Sequence, residues 1–232
     1  MYIKSTNMKR VLFLMSTAAV LLLASCNSND ENKSAGTALP VSDMKIILLQ
    51  HKVINFDNWK AVYRDRDSIR REYGISHYLA GHGLEDTSNV VVIDVVADIP
   101  KAKEYYALPE KKQAWENAGV VGEVSTDWVS IVRYDTTASE VHDRVLIKHK
   151  VKDFDAWLKV FDNEGMEKRK SYGISERGLG RGVDDPNTVY IFFSVSDWKK
   201  ANDRMNSEEL KNTMKDAGVE GAPVIVKYTR SL

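Results

Sequence analysis

The stretch HKVINFDNW, residues 51–59, returns almost unchanged as HKVKDFDAW, residues 149–157. A shift of 98 residues aligns these two stretches, and after one inserted residue a shift of 99 aligns the rest of the two copies. The later matches are Tyr73-Gly74-Ile75-Ser76 with Tyr172-Gly173-Ile174-Ser175, Gly81 and Gly83 with Gly180 and Gly182, and Ala118-Gly119-Val120 with Ala217-Gly218-Val219. A repeat of about ninety residues indicates a duplicated structural unit.

Each copy predicts the same order of secondary structure. In the first copy, apolar and polar residues alternate over 47–53, which is typical of a half-buried strand, and the apolar run 90–96 predicts a strand covered on both faces. Apolar residues at helical spacing predict one helix over 56–73 and a second over 98–118. The remaining strands are predicted over 75–84 and about 128–134 in the first copy, and over 174–183 and 224–228 in the second.

Polar residues and glycines mark the ends of these helices. We predict helix N-caps at Asn55, Asp98, Asp153 and Asp197, and left-handed C-terminal glycines at Gly74 and Gly173. The order strand, helix, strand, strand, helix, strand is that of a ferredoxin-like βαββαβ unit, whose helices cover one face of an antiparallel sheet. The sequence therefore predicts an α+β fold of two tandem units, residues 44–135 and 143–232 with a connector at 136–142, packed sheet to sheet as a pseudo-dimeric barrel in a monomeric chain.

Five short motifs carry a family resemblance. His-Lys-Val, Phe-Asp-x-Trp, Tyr-Gly-Ile, an Asp-Pro-Asn turn and the closing Ala-Gly-Val together resemble the dimeric α+β-barrel superfamily, with antibiotic-biosynthesis-monooxygenase-like and cyclase-like proteins the nearest relatives. The resemblance covers nearly all of residues 44–232 but consists mainly of fold-bearing positions, and fold alone does not determine function. It implies a pocket in each unit between the sheet and its two helices, and chemistry that requires no cofactor.

The N-terminus carries a targeting signal. Lys9 and Arg10 precede an apolar run over 11–23, which ends in the order Leu-Ala-Ser-Cys at Cys26. This order resembles a bacterial lipobox, which implies a signal peptide over 1–25 and acyl chains on Cys26; a plain secretory signal with an incidental cysteine is the alternative. The polar residues up to 43 predict a flexible tether. We therefore expect a lipoprotein anchored in the bacterial cell envelope, at the outer membrane, with the membrane as its partner.

Composition excludes some function classes. The chain has 33 basic and 33 acidic residues and no visible basic face, which argues against a nucleic-acid partner. Metal-ligand spacings such as His-x-x-x-His and cysteine clusters are absent from the sequence, so we predict no metal site.

The candidate catalytic residues are His51, His149 and Asp94. Both copies place a histidine on the apolar face of the first strand, where it would serve as a proton shuttle, or simply bond a backbone carbonyl. Asp94 interrupts an apolar strand, which is costly unless the carboxylate is paired, and His51 on a neighbouring strand is one partner to test. A solvated carboxylate at a barrel opening is the alternative.

Aromatic residues and one further histidine are the candidate ligand contacts, since planar side chains stack on planar ligands, although helical spacing also suits a purely structural core. The set comprises Trp59, Trp157, Tyr73, Tyr172, His77 and Trp115. His77 and Trp115 align with Glu176 and Met214, so the two pockets would not work identically.

Three functions remain open on these residues. The first is binding of a small apolar or aromatic molecule between sheet and helices. The second is a cofactor-independent monooxygenase or cyclase, which the resemblance implies would use a pocket base to remove an acidic proton. The third is a non-catalytic interaction module.

Overall fold

The computed structural model describes residues 43–232, which form eight strands and eight helices. The first copy comprises β1 (Lys45–Val53), α1 (Phe56–Asp65), α2 (Asp67–Glu72), β2 (Ile75–Gly83), β3 (Asn89–Val96), α3 (Ile99–Ala107), α4 (Pro109–Asn117) and β4 (Val120–Tyr134). The second comprises β5 (Asp143–Val151), α5 (Phe154–Glu164), α6 (Met166–Ser171), β6 (Ile174–Gly182), β7 (Thr188–Val195), α7 (Trp198–Met205), α8 (Glu208–Asp216) and β8 (Val219–Arg230). The predicted signal peptide, Cys26 and the tether lie outside the described residues, apart from Asp43.

The eight strands close into one barrel in the order β1-β3-β2-β8-β5-β7-β6-β4. Each copy supplies an antiparallel sheet of four strands, and the two sheets join where β2 pairs with β8 and β4 pairs with β6. This confirms the predicted α+β fold class and the ferredoxin-like order within each copy. Closure gives the end strand of each sheet a partner in the other sheet, over Gly81–Gly83 with Tyr228–Arg230 at one junction and Val129–Tyr134 with Gly178–Gly182 at the other.

Two repeated glycines allow the sheets to join. A Cβ atom on Gly81 would lie 2.1 Å from the carbonyl oxygen of Thr229 on β8. A Cβ atom on Gly180 would lie 2.5 Å from Cγ1 of Val129 on β4. Any side chain at either position would push the neighbouring strand away, so the glycines shared by both copies lie where the barrel is sealed.

The predicted helix ends are confirmed. Asn55, Asp98, Asp153 and Asp197 each accept a hydrogen bond from a backbone N–H in the first turn of the helix that follows. Gly74 and Gly173 have φ angles of 71° and 70°, the left-handed conformation that glycine adopts without strain.

The prediction of two continuous helices in each copy is wrong. The first predicted helix is broken at Arg66 in the first copy. In the second copy the corresponding helix is broken at Gly165, whose φ of 79° is incompatible with a helix. The second is broken at Leu108 because a residue before proline is disfavoured in the helical conformation, and Pro109 follows it. At the first break, Arg70 donates to the carbonyl oxygen of Tyr63, which satisfies a group that the interrupted helix leaves free.

The last strand of each copy is longer than predicted. β4 begins at Val120 and β8 at Val219, several residues before the predicted strands over 128–134 and 224–228. The early part of each strand is largely exposed, so it lacks the apolar alternation that reveals a half-buried strand.

Three apolar clusters stabilise the fold. One lies inside the barrel and includes Leu48, Ile93 and Tyr228. The other two lie outside the barrel, each between one sheet and its own helices, and they contain Trp59 in the first copy and Trp157 in the second. Each of these tryptophans is 3% exposed, and burial of a large side chain contributes roughly 1.5 to 3 kcal/mol. The eight strands of the barrel and the residues named in these three clusters all lie within residues 43–232.

No helix among residues 43–232 combines the length and the apolar character that crossing a lipid bilayer requires.

Candidate functional site

The two repeated histidines lie where the sequence predicts, on the helix-facing side of β1 and β5. His51 is 8% exposed and its ring centroid is 5.6 Å from that of Trp59; His149 is 5% exposed and lies 5.5 Å from Trp157. Neither nitrogen of either ring has a hydrogen-bond partner among the described residues, so the predicted bond to a backbone carbonyl does not form.

Burial makes both imidazoles weak bases. Loss of hydration lowers the pKa of His149 to about 4, and the same loss, together with the nearby charge of Lys111, lowers the pKa of His51 to about 4. Both rings are therefore neutral at pH 7. A general base works best when its pKa lies near the working pH, so these values argue against the predicted catalytic role.

Asp94 does not pair with His51, and the alternative of a solvated carboxylate is also wrong. The residue is fully buried on β3, and its Oδ1 accepts a hydrogen bond of 2.6 Å from the hydroxyl of Tyr63 on α1. Nδ1 of His77 on β2 lies 3.3 Å from the same oxygen and 2.9 Å from the Tyr63 hydroxyl. His77 is directly opposite Asp94 in the β2–β3 register, which explains why these two side chains meet.

These three side chains form a compact polar group, hereafter the Tyr63–Asp94–His77 triad. The hydroxyl of Tyr63 has one proton, and when it donates to Asp94 its oxygen can accept from Nδ1–H of His77. In that tautomer Nε2 of His77, whose side chain is 28% exposed, is left as a proton acceptor. Burial and the charge of Asp94 both raise the pKa of Tyr63, so its proton stays in place.

The second copy replaces the triad completely. Phe161, Phe193 and Glu176 occupy the positions of Tyr63, Asp94 and His77. Glu176 accepts a 2.7 Å hydrogen bond from Nε of Arg133, and Arg133 also pairs with Asp162. A carboxylate held by arginine in this way is an ion pair rather than a free base.

A small cavity of about 30 Å³ lies beside the triad, between the first sheet and its helices. It has room for about one water molecule. Nine of its lining residues carry polar or aromatic groups, and we call six of them the first-unit cluster: His51, Trp59, Tyr63, Arg66, Lys111 and Trp115.

Lys111 is the unexpected member of this cluster. It is 8% exposed on α4, its ammonium donates a 3.0 Å hydrogen bond to the hydroxyl of Tyr105, and it lies 5.3 Å from the ring centroid of Trp115. Burial lowers the pKa of Lys111. Burial alone would raise the pKa of Tyr105, but the charge of Lys111 and its hydrogen bond outweigh that effect and lower it. Among residues 43–232, no carboxylate forms an ion pair with Lys111.

Sequence reasoning missed Lys111 and Arg66, and it counted Tyr63 and Tyr105 only among the residues at helical spacing. A lysine on a largely polar helix gives no signal of burial. Comparison of the two copies does give a signal of burial, because Lys111 aligns with Leu210 and Tyr63 aligns with Phe161, and both of these residues are apolar.

The other predicted ligand contacts are divided between the cluster and the surrounding core. Trp59 and Trp115 line the cavity, while Trp157 is core in the second unit. Tyr73 packs against Tyr105, with ring centroids 5.6 Å apart. Tyr172 is partly buried in the second core, 5.2 Å from the guanidinium of Arg204.

Within residues 43–232, no three histidine, cysteine, aspartate or glutamate side chains come together as metal ligands would.

Solved structures share this architecture, although no protein-family model and no curated protein sequence matches the chain. A "putative monooxygenase" from Lactobacillus acidophilus NCFM is 18% identical, with 81% of this chain and 94% of that one aligned at a TM-score of 0.52. An anthrone oxidase-like protein is 10% identical over 82% and 92% of the two chains, with a TM-score of 0.55. This chain is a dimeric α+β barrel in fold. A mutant chlorite dismutase from Candidatus Nitrospira defluvii is similar to the barrel as well, at 7% identity, 81% and 92% coverage and a TM-score of 0.50.

Sequence identities this low show that the barrel fold is shared, and they say nothing about activity or ligand. The structures aligned with it bear the names of different enzymes, which agrees with the rule that chemistry is set by individual residues on a shared scaffold.

Proposed function

We propose that the first unit of the barrel binds a small aromatic molecule that carries an acidic group, and that the second unit serves as scaffold. The observation that carries this proposal is the buried ammonium of Lys111, which has aromatic rings around it and no carboxylate partner among residues 43–232. A buried charge is costly unless it is paired, and an anionic ligand would pair it.

The remaining members of the first-unit cluster favour the same ligand. Trp59 and Trp115 offer planar surfaces. Within the described part of the chain, neither Nε of Arg66 nor the ring nitrogens of His51 have a hydrogen-bond partner. A phenolate or aromatic carboxylate would supply both a ring to stack and oxygens to accept these bonds.

The cavity must enlarge to admit such a molecule, and α4 is the wall best suited to move. It buries only Lys111 and Ala114, and the chain bends at Leu108 before it. Elements with few buried contacts open at the lowest free-energy cost. Outward movement of α4 would carry Lys111 with it and expose the tryptophan rings.

Calorimetric titration of residues 43–232 with 2-naphthoate tests this proposal. We expect binding that Lys111→Met weakens about tenfold or more, because hydrogen bonds to charged groups contribute roughly 1.5 to 3 kcal/mol. Lys112→Met is the matched control, since Lys112 is the next residue on the same helix and is exposed. Equal loss in both variants, or no binding by the unmodified protein, would refute the proposal.

The Tyr63–Asp94–His77 triad favours a second candidate, a cofactor-independent oxygenation. In its first step the bound molecule would give a proton to the hydroxyl oxygen of Tyr63 while that hydroxyl passes its own proton to Asp94, and oxygen would then attack the resulting carbanion. The ring of Tyr63 lines the cavity, and its hydroxyl connects the cavity to Asp94 and His77. Oxygen uptake measured with a panel of phenols and anthrones tests it: activity should be lost in Asp94→Asn and retained in His149→Leu. Retention of activity in Asp94→Asn would exclude the triad.

We also propose that acyl chains on Cys26 hold the barrel at a bacterial outer membrane. The support is the sequence Leu-Ala-Ser-Cys after a basic and apolar N-terminus. Two or more acyl chains anchor a protein stably. The full-length protein expressed in bacteria should partition into the detergent phase of a cloud-point extraction, and Cys26→Ala should move it to the aqueous phase; unchanged partitioning would refute the anchor.

A further inference from the structure

A second cavity, of about 240 Å³, lies inside the barrel at the end where β1 and β5 begin. It is separate from the first-unit cluster, which lies outside the barrel. Its walls are largely apolar, with Ile46, Leu79, Ile93 and Phe192 among them, and Met44 lies at its mouth. Neither the proposed function nor the fold explains this space.

One substitution between the copies accounts for the cavity. Gly178 on β6 aligns with Leu79 on β2, so the second copy lacks a side chain that fills the interior in the first. A Cβ atom on Gly178 would lie 3.5 Å from Cδ2 of Phe192 and 3.6 Å from Cβ of Tyr134, which are ordinary contact distances. The glycine is therefore not required by close packing, and it leaves room that a larger residue would occupy.

The charges around this mouth are also divided between the copies. Arg144, Arg177 and Arg230 line it from the second copy, and the positions aligned with them in the first copy are Ile46, Tyr78 and Ile131, which line it as well. The opening thus has one apolar wall and one cationic wall.

Only one of these three arginines forms an ion pair with an acidic side chain of the described residues. Arg177 pairs with Asp135, whereas the hydrogen bonds of Arg144 and Arg230 within residues 43–232 go to backbone carbonyls. Arg144 is 4% exposed and bonds Val141 and Asp143 through Nη1 alone, which leaves Nη2 and Nε for a ligand. Burial, with Arg230 and Arg177 nearby, lowers the pKa of Arg144, as expected for a cation that lacks a counter-charge.

We infer that this cavity binds an amphiphile with a single hydrocarbon chain and a carboxylate head, of the fatty-acid class. The chain would occupy the space left by Gly178, against Ile93 and Phe192, and the carboxylate would accept hydrogen bonds from Arg144 and Arg230. Arginine suits this role because its planar fork of donors matches the two oxygens of a carboxylate.

Two substitutions test the two halves of this inference. Each gives the second copy the residue that the first copy has at the aligned position. Gly178→Leu fills the cavity, and Arg144→Ile removes the buried charge. Titration of residues 43–232 with decanoate should show binding that Gly178→Leu abolishes and Arg144→Ile weakens about tenfold or more. Lys111→Met, which changes the first-unit cluster, should leave decanoate binding unchanged and so separates this site from the proposed aromatic site.

Two further probes test which part of the ligand is recognised. Decanol has the same chain without the charge, and acetate has the charge without the chain, so both should bind much more weakly than decanoate. If decanol binds as tightly as decanoate, the arginines do not recognise the carboxylate and serve only to bind the connector, residues 136–142. If acetate binds as tightly as decanoate, the cavity does not bind the hydrocarbon chain and the site is only a surface site for anions. The melting temperature of Gly178→Leu shows whether the variant is folded. If the folded variant binds decanoate as tightly as the unmodified protein does, the inference is wrong.

Discussion

The two units of the barrel share a backbone plan but place their buried polar groups in opposite arrangements. Outside the barrel, the first unit holds the Tyr63–Asp94–His77 triad and the ammonium of Lys111, while the second has phenylalanines at the positions of Tyr63 and Asp94. The second unit instead joins Arg169 and Arg204 to Glu164, and its Glu176 pairs with Arg133 on β4 of the first copy.

Inside the barrel the division is reversed, since the cationic wall of the mouth comes from the second copy and the apolar wall from the first. A duplicated scaffold therefore accommodates a buried charged group in one copy at a position that is apolar in the other, as Lys111 and Leu210 show. This comparison makes matched substitutions informative, because the same position in the other unit supplies the control environment.

The largest expected effect comes from moving the carboxylate to the wrong unit. Phe193→Asp should lower the free energy of unfolding by at least about 4 kcal/mol, because it removes a buried ring and leaves a buried charge facing Phe161 instead of a hydroxyl. Urea unfolding at pH 7 measures this loss. Phe193→Leu is the control for lost volume and should cost about 1 kcal/mol; similar losses in the two variants would show that the second unit accommodates the charge.

Much of this scaffold is predictable from the sequence because its signals are local. Caps such as Asn55, the left-handed Gly74 and the apolar run of β3 depend on neighbours within a few residues, and the repeat confirms each of them twice. The break before Pro109 also has a local signal, although the helical spacing of the surrounding residues concealed it.

The candidate site is less predictable because its contacts depend on tertiary register. Asp94 is conspicuous in the sequence, but its partner Tyr63 is 31 residues away on a helix, and only the packing of α1 on the sheet brings them together. The barrel cavity results from the absence of a side chain at Gly178, on a strand whose position opposite β4 is set across the two units. No periodicity in the sequence reveals either relation.

The next largest effect concerns a feature that the units share, the buried neutral histidine. His51 and His149 each have a pKa of about 4 in the folded protein, below the value near 6.5 of an unfolded histidine. The unfolded chain therefore binds the proton first as the pH falls, so stability is full above about pH 6.5 and is lost between there and pH 4. Each histidine should contribute about 3 kcal/mol to that loss.

Urea unfolding of His51→Leu and His149→Leu at pH 7 and pH 4 measures these contributions. Each variant should lose about 3 kcal/mol less stability than the unmodified protein on acidification, and the double variant should lose the least. His142→Leu, at an exposed position, is the control for the substitution of a histidine by leucine. If only one of the two variants weakens the dependence of stability on pH, the histidine in the other unit is more hydrated than its burial indicates.

The smallest expected effect tests whether one hydroxyl distinguishes the units. Tyr63→Phe gives the first unit the residue that the second has at Phe161, and it removes the 2.6 Å hydrogen bond to Asp94. We expect a loss of about 1 to 2 kcal/mol in the free energy of unfolding, because His77 remains as a partner for the buried carboxylate. Phe161→Tyr should bring no matching gain, since its neighbour at position 193 is a phenylalanine with no oxygen to accept the bond. A gain of similar size would mean that Glu176, although held by Arg133, accepts the new hydroxyl, and that the second unit can rebuild a triad from its ion pair.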